Sequence, residues 1–241
     1  MRTSFDQKTE FIAFVLLQFV VELRKKKKEV KTVKTCVIFC AAEFDALAEP
    51  VSRQDYVIAA DGGLLHTRKL GLEPDCILGD FDSLGYVPDL AQVFPVEKDD
   101  TDSMLAVRHG LQAGCDRFLL YGSLDGPRLD HTVANFQTLQ FLADRGAKGF
   151  LVGKTHIVTL IQDENVRFPA EAKGILSVFC MGKDARGVTL TGLQYPLENG
   201  TLTAGFPLGA SNHFIGEEAS VSVRDGSLLL IYERENGILY G

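Results

Sequence analysis

Between residues 35 and 152, short apolar runs alternate with stretches of helical spacing. Thr35–Ala42 (TCVIFCAA) reads as a buried strand, followed by a helix-compatible stretch. Tyr56–Ala60 is a second strand, stopped by Asp61-Gly62-Gly63. Leu64–Leu70 is helix-like and closes at Gly71, a residue that takes the left-handed conformation of a helix C-terminus without strain. Cys76–Gly79 and Val93–Val96 supply the third and fourth strands. Asp102–Gln112 sets Met104, Leu105, Val107 and Leu111 at helical spacing and ends near Gly114. Arg117–Tyr121 is a fifth strand, Thr132–Ala143 another helix and Phe150–Val152 a further strand. Fully apolar strands alternating with helices predict a parallel sheet covered on both faces, a Rossmann-like α/β arrangement.

Beyond Gly153 the texture changes. His156–Ile161, Gly174–Cys180, Val188–Leu190, Thr201–Ala204, Ala219–Val223 and Leu228–Tyr232 are short runs rich in β-branched residues. Turn signals such as Glu198-Asn199-Gly200 and Arg224-Asp225-Gly226 separate them. Short strands with regular turns and no helical period predict a C-terminal antiparallel β-sandwich. The chain therefore divides into an extension over residues 1–32, an α/β domain over 33–152 and a sandwich over 153–241.

Charge and cysteine usage narrow the setting. The formal charge of −7, with no basic stripe outside Lys25–Lys28, argues against a nucleic-acid partner. Five cysteines without regular spacing do not form a disulfide framework, and none has the neighbours of a zinc site. They read as reduced buried thiols, which points to the cytoplasm. Phe11–Val21 is apolar but too short to span a bilayer as a helix. The lysines that follow it stand on the wrong side for a signal peptide. It reads as an extension, with a peripheral amphipathic anchor as the alternative.

The candidate chemistry lies in the aspartates. Asp61, Asp80, Asp82, Asp99, Asp100, Asp102 and Asp130 all fall at or just after predicted strand ends. In an open parallel sheet these ends form one rim, where ligands bind. Carboxylates gathered there need a cation, and Mg²⁺, which shares its oxygen shell with substrate phosphates, suits them. In Gly79-Asp80-Phe81-Asp82-Ser83 both aspartates can face one ion, and Gly79 permits close backbone approach. Lys98-Asp99-Asp100-Thr101-Asp102 also suits a helix N-terminus, with Thr101 or Asp100 as the cap. In Gly122-Ser123-Leu124-Asp125-Gly126-Pro127-Arg128-Leu129-Asp130-His131, between a strand and a helix, Arg128 can grip phosphate. Asp130 can hold a metal or orient His131. Neither a Walker A sequence nor G-x-G-x-x-G is present.

Taken in order, Asp61-Gly62-Gly63, Gly79-Asp80-Phe81-Asp82-Ser83, Lys98-Asp99-x-Thr101-Asp102 and Gly122…Arg128-x-Asp130-His131…Asn135 resemble the motif set of thiamine pyrophosphokinases. Leu208-Gly209-Ala210-Ser211-Asn212 resembles that family's later motif. The resemblance implies a homodimer with shared active sites and a reaction of thiamine with ATP, giving thiamine diphosphate and AMP with Mg²⁺. It implies that Asp80, Asp82 and Asp99 are metal-associated, with Asp61 and Asp102 close by. It likewise implies nucleotide contacts from Asp61, Gly62, Gly79, Ser83, Thr101, Arg128, Asp130 and His131, and thiamine contacts from Ser211 and Asn212. Residues 33–152 would bind ATP and Mg²⁺, and 153–241 would serve thiamine binding and dimerisation.

Two departures stand out. The family commonly carries Gly-Gly-Arg where this chain has Gly126-Pro127-Arg128, and proline has no N–H to offer a phosphate. The chain has no Trp, which resembles the bacterial branch. The proton acceptor is left open between Asp99 and Asp102. A pterin-type alcohol as acceptor, and a non-catalytic nucleotide or thiamine-diphosphate sensor, are the competing readings.

Overall fold

The structure, a computed structural model, describes residues 33–82, 84–95 and 100–238. The extension over residues 1–32, together with Ser83, Val96, Lys98 and Asp99, lies outside the described residues. From Lys34 onward the described residues belong to one compact unit.

In chain order the elements are β1 (Thr35–Phe39), β2 (Tyr56–Ala60), α1 (Gly63–Leu70), β3 (Cys76–Gly79), β4 (Gln92–Val93), α2 (Asp102–Gln112), β5 (Arg117–Tyr121), α3 (Leu129–Ala143) and β6 (Lys148–Val152). The remainder is strand: β7 (His156–Gln162), β8 (Asn165–Phe168), β9 (Ile175–Thr191), β10 (Leu197–Leu202), β11 (Asn212–His213), β12 (Ala219–Ser222) and β13 (Asp225–Glu233), closed by a 3₁₀ turn at Arg234–Asn236.

The first six strands pair in parallel in the order β4-β3-β2-β1-β5-β6. Each of β1, β2, β5 and β6 is buried at every position but its first, as a sheet covered on both faces requires. Alternate residues serve different cores. Ile38, Ile58, Phe118 and Leu120 pack with Ala106 and Val107 of α2 and with Leu139 and Leu142 of α3. Val37, Phe39, Leu119, Tyr121 and Phe150 face the other way and join a core continuous with the C-terminal strands.

That second face corrects one expectation. Residues 41–55, helix-compatible in sequence, form bends and turns instead. Pro50 restricts the segment locally, and long-range contacts hold it. Phe44 lies against Phe39 and Tyr121, and the Ala48 N–H donates to Tyr121 Oη at 3.1 Å. Arg117 grips both carboxylate oxygens of Glu49, at 2.5 and 2.8 Å. These contacts replace intrahelical bonds with tertiary ones.

Past Gly153 the sheet turns antiparallel, with β6-β7-β13-β9-β12-β8 in sequence across it. Hydrogen bonding thus runs on through the predicted domain boundary, while the strand direction changes there. The 17-residue β9 accounts for two predicted strands. Its first half pairs with β11 and β13 and its second half with β10 and β12. Leu176 and Val178 from one half and Val188 and Leu190 from the other share one core with Leu230 and Val221, as in a sandwich. Glu198-Asn199-Gly200, read as a turn, sits inside β10, where the register shifts on either side of Gly200. A bulge absorbs Asn199, whose φ is 45°. Among the described residues no helix is long and apolar enough to cross a membrane.

Candidate active site

The strand order reverses between β1 and β5. From β1 the chain steps outward through β2, β3 and β4, then returns to β5 on the other flank. A crevice opens at such a switch point, above the carboxyl ends of the strands. A cavity of about 740 Å³ lies here, with Cys40–Ala42 beyond β1 and Gly122 and Ser123 beyond β5 in its wall. Cys40 N–H donates to the Tyr121 carbonyl at 2.8 Å and Ala42 N–H to the Gly122 carbonyl at 3.1 Å. This close run of backbones requires Gly122. Its φ is +66°, and a Cβ would stand 2.3 Å from the Ala42 carbonyl oxygen.

Three carboxylates converge in the cavity. Asp61 follows β2 with φ 48° and is 9% exposed. Its N–H donates to the Leu78 carbonyl at 2.8 Å, which draws the end of β3 against it. Gly79 makes that approach tolerable, since a Cβ there would lie 3.0 Å from Asp61 Cα and N. Asp80 comes next in the chain. Asp102 arrives from a third direction as the first residue of α2, where a carboxylate suits the helix dipole. One carboxylate oxygen from each of Asp61, Asp80 and Asp102 lies within 4.8 Å of the others. A hard divalent cation fits this all-oxygen set, with room left for water and phosphate ligands.

The metal set expected from the sequence is Asp80, Asp82 and Asp99, with Asp61 and Asp102 nearby. Asp82 also lines the cavity but is exposed and stands outside the trio. Phe81 separates the two aspartates with φ 59° and is itself 2% exposed, while the Asp82 N–H donates to Asp80 Oδ1 at 3.3 Å. Asp99 lies outside the described residues.

Thr101 caps α2 in extended conformation, its Oγ1 accepting the Met104 N–H at 3.2 Å. Asp100, the alternative cap, instead pairs with Arg108, Nε to Oδ2 at 3.2 Å. Gly62 precedes α1 without a side chain to cap it. Arg128 and Asp130 form a two-pronged pair at 2.6 and 3.3 Å on the lip of the cavity, both largely exposed. The hydrogen bond from Arg128 holds the Asp130 carboxyl below the usual carboxylate range, and Asp130 in turn raises the guanidinium. Arg128 and His131 both line the cavity. Burial, with the Asp102 charge adding, pushes the Cys40 thiol up to about 12, so this wall residue stays protonated.

Ser211 and Asn212 do not line this cavity. Ser211 is exposed with φ 57°, its N–H donating to Ser177 Oγ at 3.0 Å. Asn212 is 2% exposed. Its Oδ1 accepts the Tyr195 and His213 N–H groups at 2.9 and 3.0 Å, and its Nδ2 donates to the Tyr195 carbonyl at 2.8 Å. Sequence reasoning passes over Ser103 and Thr132 as cavity residues and gives Asn135 no role of its own; all three line the wall. The i, i+4 spacing of His131 and Asn135 on α3 is the signal that could have placed Asn135 on the cavity side.

Comparison with known proteins agrees with this geometry. The sequence model of the thiamin pyrophosphokinase catalytic domain matches residues 47–151, and that of the thiamin pyrophosphokinase vitamin B1 binding domain matches residues 156–228. A thiamine pyrophosphokinase of Bacillus subtilis is 30% identical over 191 residues, covering 72% of this chain and 85% of its own. A crystal structure of thiamine pyrophosphokinase from Bacillus subtilis superposes with a TM-score of 0.75 at 27% identity, over 83% of this chain and 99% of that one. The Geobacillus thermodenitrificans structure gives 0.69 at 25%, over 84% and 97%. Yeast thiamin pyrophosphokinase, 14% identical over 85% of this chain and 88% of its own, shares the fold at a TM-score of 0.65. Carboxylate rim, two-part sheet and matched segments meet in one conclusion: the chain belongs to the thiamine pyrophosphokinase family.

Proposed function

We infer that this protein transfers the pyrophosphoryl group of ATP to the hydroxyl of thiamine, releasing AMP. The observation that carries the reading is the meeting of Asp61, Asp80 and Asp102 in a cavity at the switch point of a parallel sheet. Asp61, Asp80 and Asp102 would hold Mg²⁺, with Asp82 and Asp99 supporting it; when bound, the ion neutralises charge on the phosphate oxygens. Arg128, held at the lip by Asp130, donates to phosphate oxygens from the other side, with His131 beside it. Pro127 withholds one backbone donor there, so Arg128 carries more of the anchoring. The thiamine hydroxyl attacks the β-phosphorus, AMP leaves, and Asp99 or Asp102 takes the hydroxyl proton. Positioning supplies much of the rate.

Residues 33–152 would bind ATP and Mg²⁺, and residues 153–241 would contribute thiamine contacts and a dimer interface. In this scheme Asn212 shapes the 208–212 loop by holding the Tyr195 backbone, and Ser211 meets thiamine across a homodimer with shared sites. A cytoplasmic setting accords with five free cysteines.

The test is AMP formation from ATP with thiamine and, separately, with hydroxymethylpterin, each with Mg²⁺ and with EDTA. AMP is expected with thiamine and Mg²⁺ alone. Turnover with the pterin in place of thiamine reassigns the acceptor. Nucleotide binding without AMP makes the protein a sensor.

A further inference from the structure

A chain of short hydrogen bonds crosses the wall of the cavity from the loop after β5 to the cap of α2. Asn135 of α3 is at its centre and is 5% exposed. Its Nδ2 donates to the Ser123 carbonyl at 2.7 Å. Its Oδ1 accepts from Ser103 Oγ at 2.7 Å. Ser103 Oγ lies 3.0 Å from Thr101 Oγ1, and Thr101 Oγ1 accepts the Met104 N–H.

Donor and acceptor chemistry fixes every direction in this chain. A carbonyl oxygen only accepts, so the amide nitrogen of Asn135 must face Ser123. Its oxygen then faces Ser103, whose single hydroxyl proton goes to it. Ser103 has only lone pairs left for Thr101, so the Thr101 proton points to Ser103. The Thr101 lone pairs are thereby turned toward the helix, where they cap Met104. One buried amide thus decides the orientation of an N-cap two residues of relay away. Asp102, one of the three converging carboxylates, is the next residue after that cap.

We propose that Asn135 is a positioning residue which, through Ser103 and Thr101, ties the first turn of α2 to the loop after β5 and so fixes the Asp102 carboxylate relative to that loop. The link to catalysis rests on the reaction assigned above; the relay itself does not. Among residue types of that size, only Asn presents a donor nitrogen and a separate acceptor oxygen on one planar neutral group. Asn135→Asp would set an oxygen against the Ser123 carbonyl, and Asn135→Leu would leave Ser103 and Ser123 without their buried partner.

Two measurements test it. The first is amide hydrogen exchange in the metal-free, nucleotide-free protein. Asn135→Ala is expected to accelerate exchange at Met104 and Leu105 at least tenfold, while the amides near Leu111 keep their protection. Unchanged protection at Met104 and Leu105 overturns the relay. The second is a double-mutant cycle of Asn135→Ala with Ser103→Ala, read in kcat and in the KM for thiamine. Each single change is expected to lower kcat roughly tenfold with the thiamine KM within about twofold, within the usual range for groups that orient site ligands. The pair should be no worse than the poorer single variant, because both cut the same link. Effects on kcat that multiply overturn the proposal. If Asn135→Ala fails to fold, Ser103→Ala, which is only half-buried, carries the exchange experiment alone. A wild-type protein that makes no AMP removes the assigned reaction but leaves the exchange result decisive for the relay.

Discussion

The carboxylates on the parallel rim and the buried polar groups of the antiparallel half serve different ends. On the parallel rim, Asp61, Asp80 and Asp102 each bring a carboxylate oxygen to one spot, within 4.8 Å of one another, where a ligand can be held. In the antiparallel half, Asn212 spends its buried amide on the Tyr195 backbone, and Asp163 Oδ1 accepts the Gly226 N–H at 3.1 Å at a turn. The rim carboxylates are aimed at a ligand, the antiparallel groups at their own backbone. Such a division is expected where a scaffold supports a site, because functional groups are kept in arrangements that folding alone would not select.

The sharpest way to break this comparison is at the rim. Asp80→Asn is expected to lower kcat/KM for AMP formation at least a hundredfold, about 2.7 kcal/mol, with little change in Tm in EDTA, since the amide oxygen can still accept the Asp82 N–H. The exposed Asp82→Asn should cost about tenfold, about 1.4 kcal/mol. A clear loss of Tm in Asp80→Asn would make the carboxylate a brace and erase the contrast. In the antiparallel half the opposite profile is expected. Asn212→Ala leaves the Tyr195 N–H and C=O without their partner and should cost about 2 kcal/mol, or roughly 4–8 °C in Tm. Its kcat should stay within about threefold while the thiamine KM rises; calorimetry and steady-state kinetics on the same sample separate the two. The smallest effect concerns Cys40, which lines the cavity. With its thiol pushed up to about 12, about one molecule in ten thousand carries the thiolate at pH 8. Iodoacetamide should therefore leave Cys40 unmodified in the folded protein and label it in denaturant, as mass spectrometry of the peptides would show.

Much of the parallel half was legible. Strands β2, β3 and β5 and helix α2 begin and end where periodicity and the Gly stops put them. The antiparallel half was read less well, for identifiable reasons. Strand β8 (NVRF) is four residues long beside an acidic turn, too short for its alternation to register. Polar Lys183, Asp184 and the glycines at 182 and 187 signal the end of a strand, yet β9 runs through them because β13 and β10 pair with it on both sides of the interruption. The stretch after β1 has helical composition, but Tyr121, Arg117 and Arg234, remote in sequence, claim its backbone and side chains. Tertiary contact overrides a weak local preference.

Within the site the same distinction holds. Residue type and position at strand ends sufficed to pick out aspartates that line the rim, and they are what raises the expectation of a divalent cation and phosphate there, because both the topology rule and the chemistry of carboxylates are local to the chain. Which of them meet was decided only by packing. Asp80 and Asp82 are neighbours in sequence, yet Asp80 meets Asp61 and Asp102 instead. Strand β3 lies beside β2, and the start of α2 is brought to the same rim. Distances between residues 61, 80 and 102 depend on which strands pair and how closely their backbones approach, down to the absence of a Cβ at Gly79. That information is carried by contacts between remote segments, and no window of the sequence contains it.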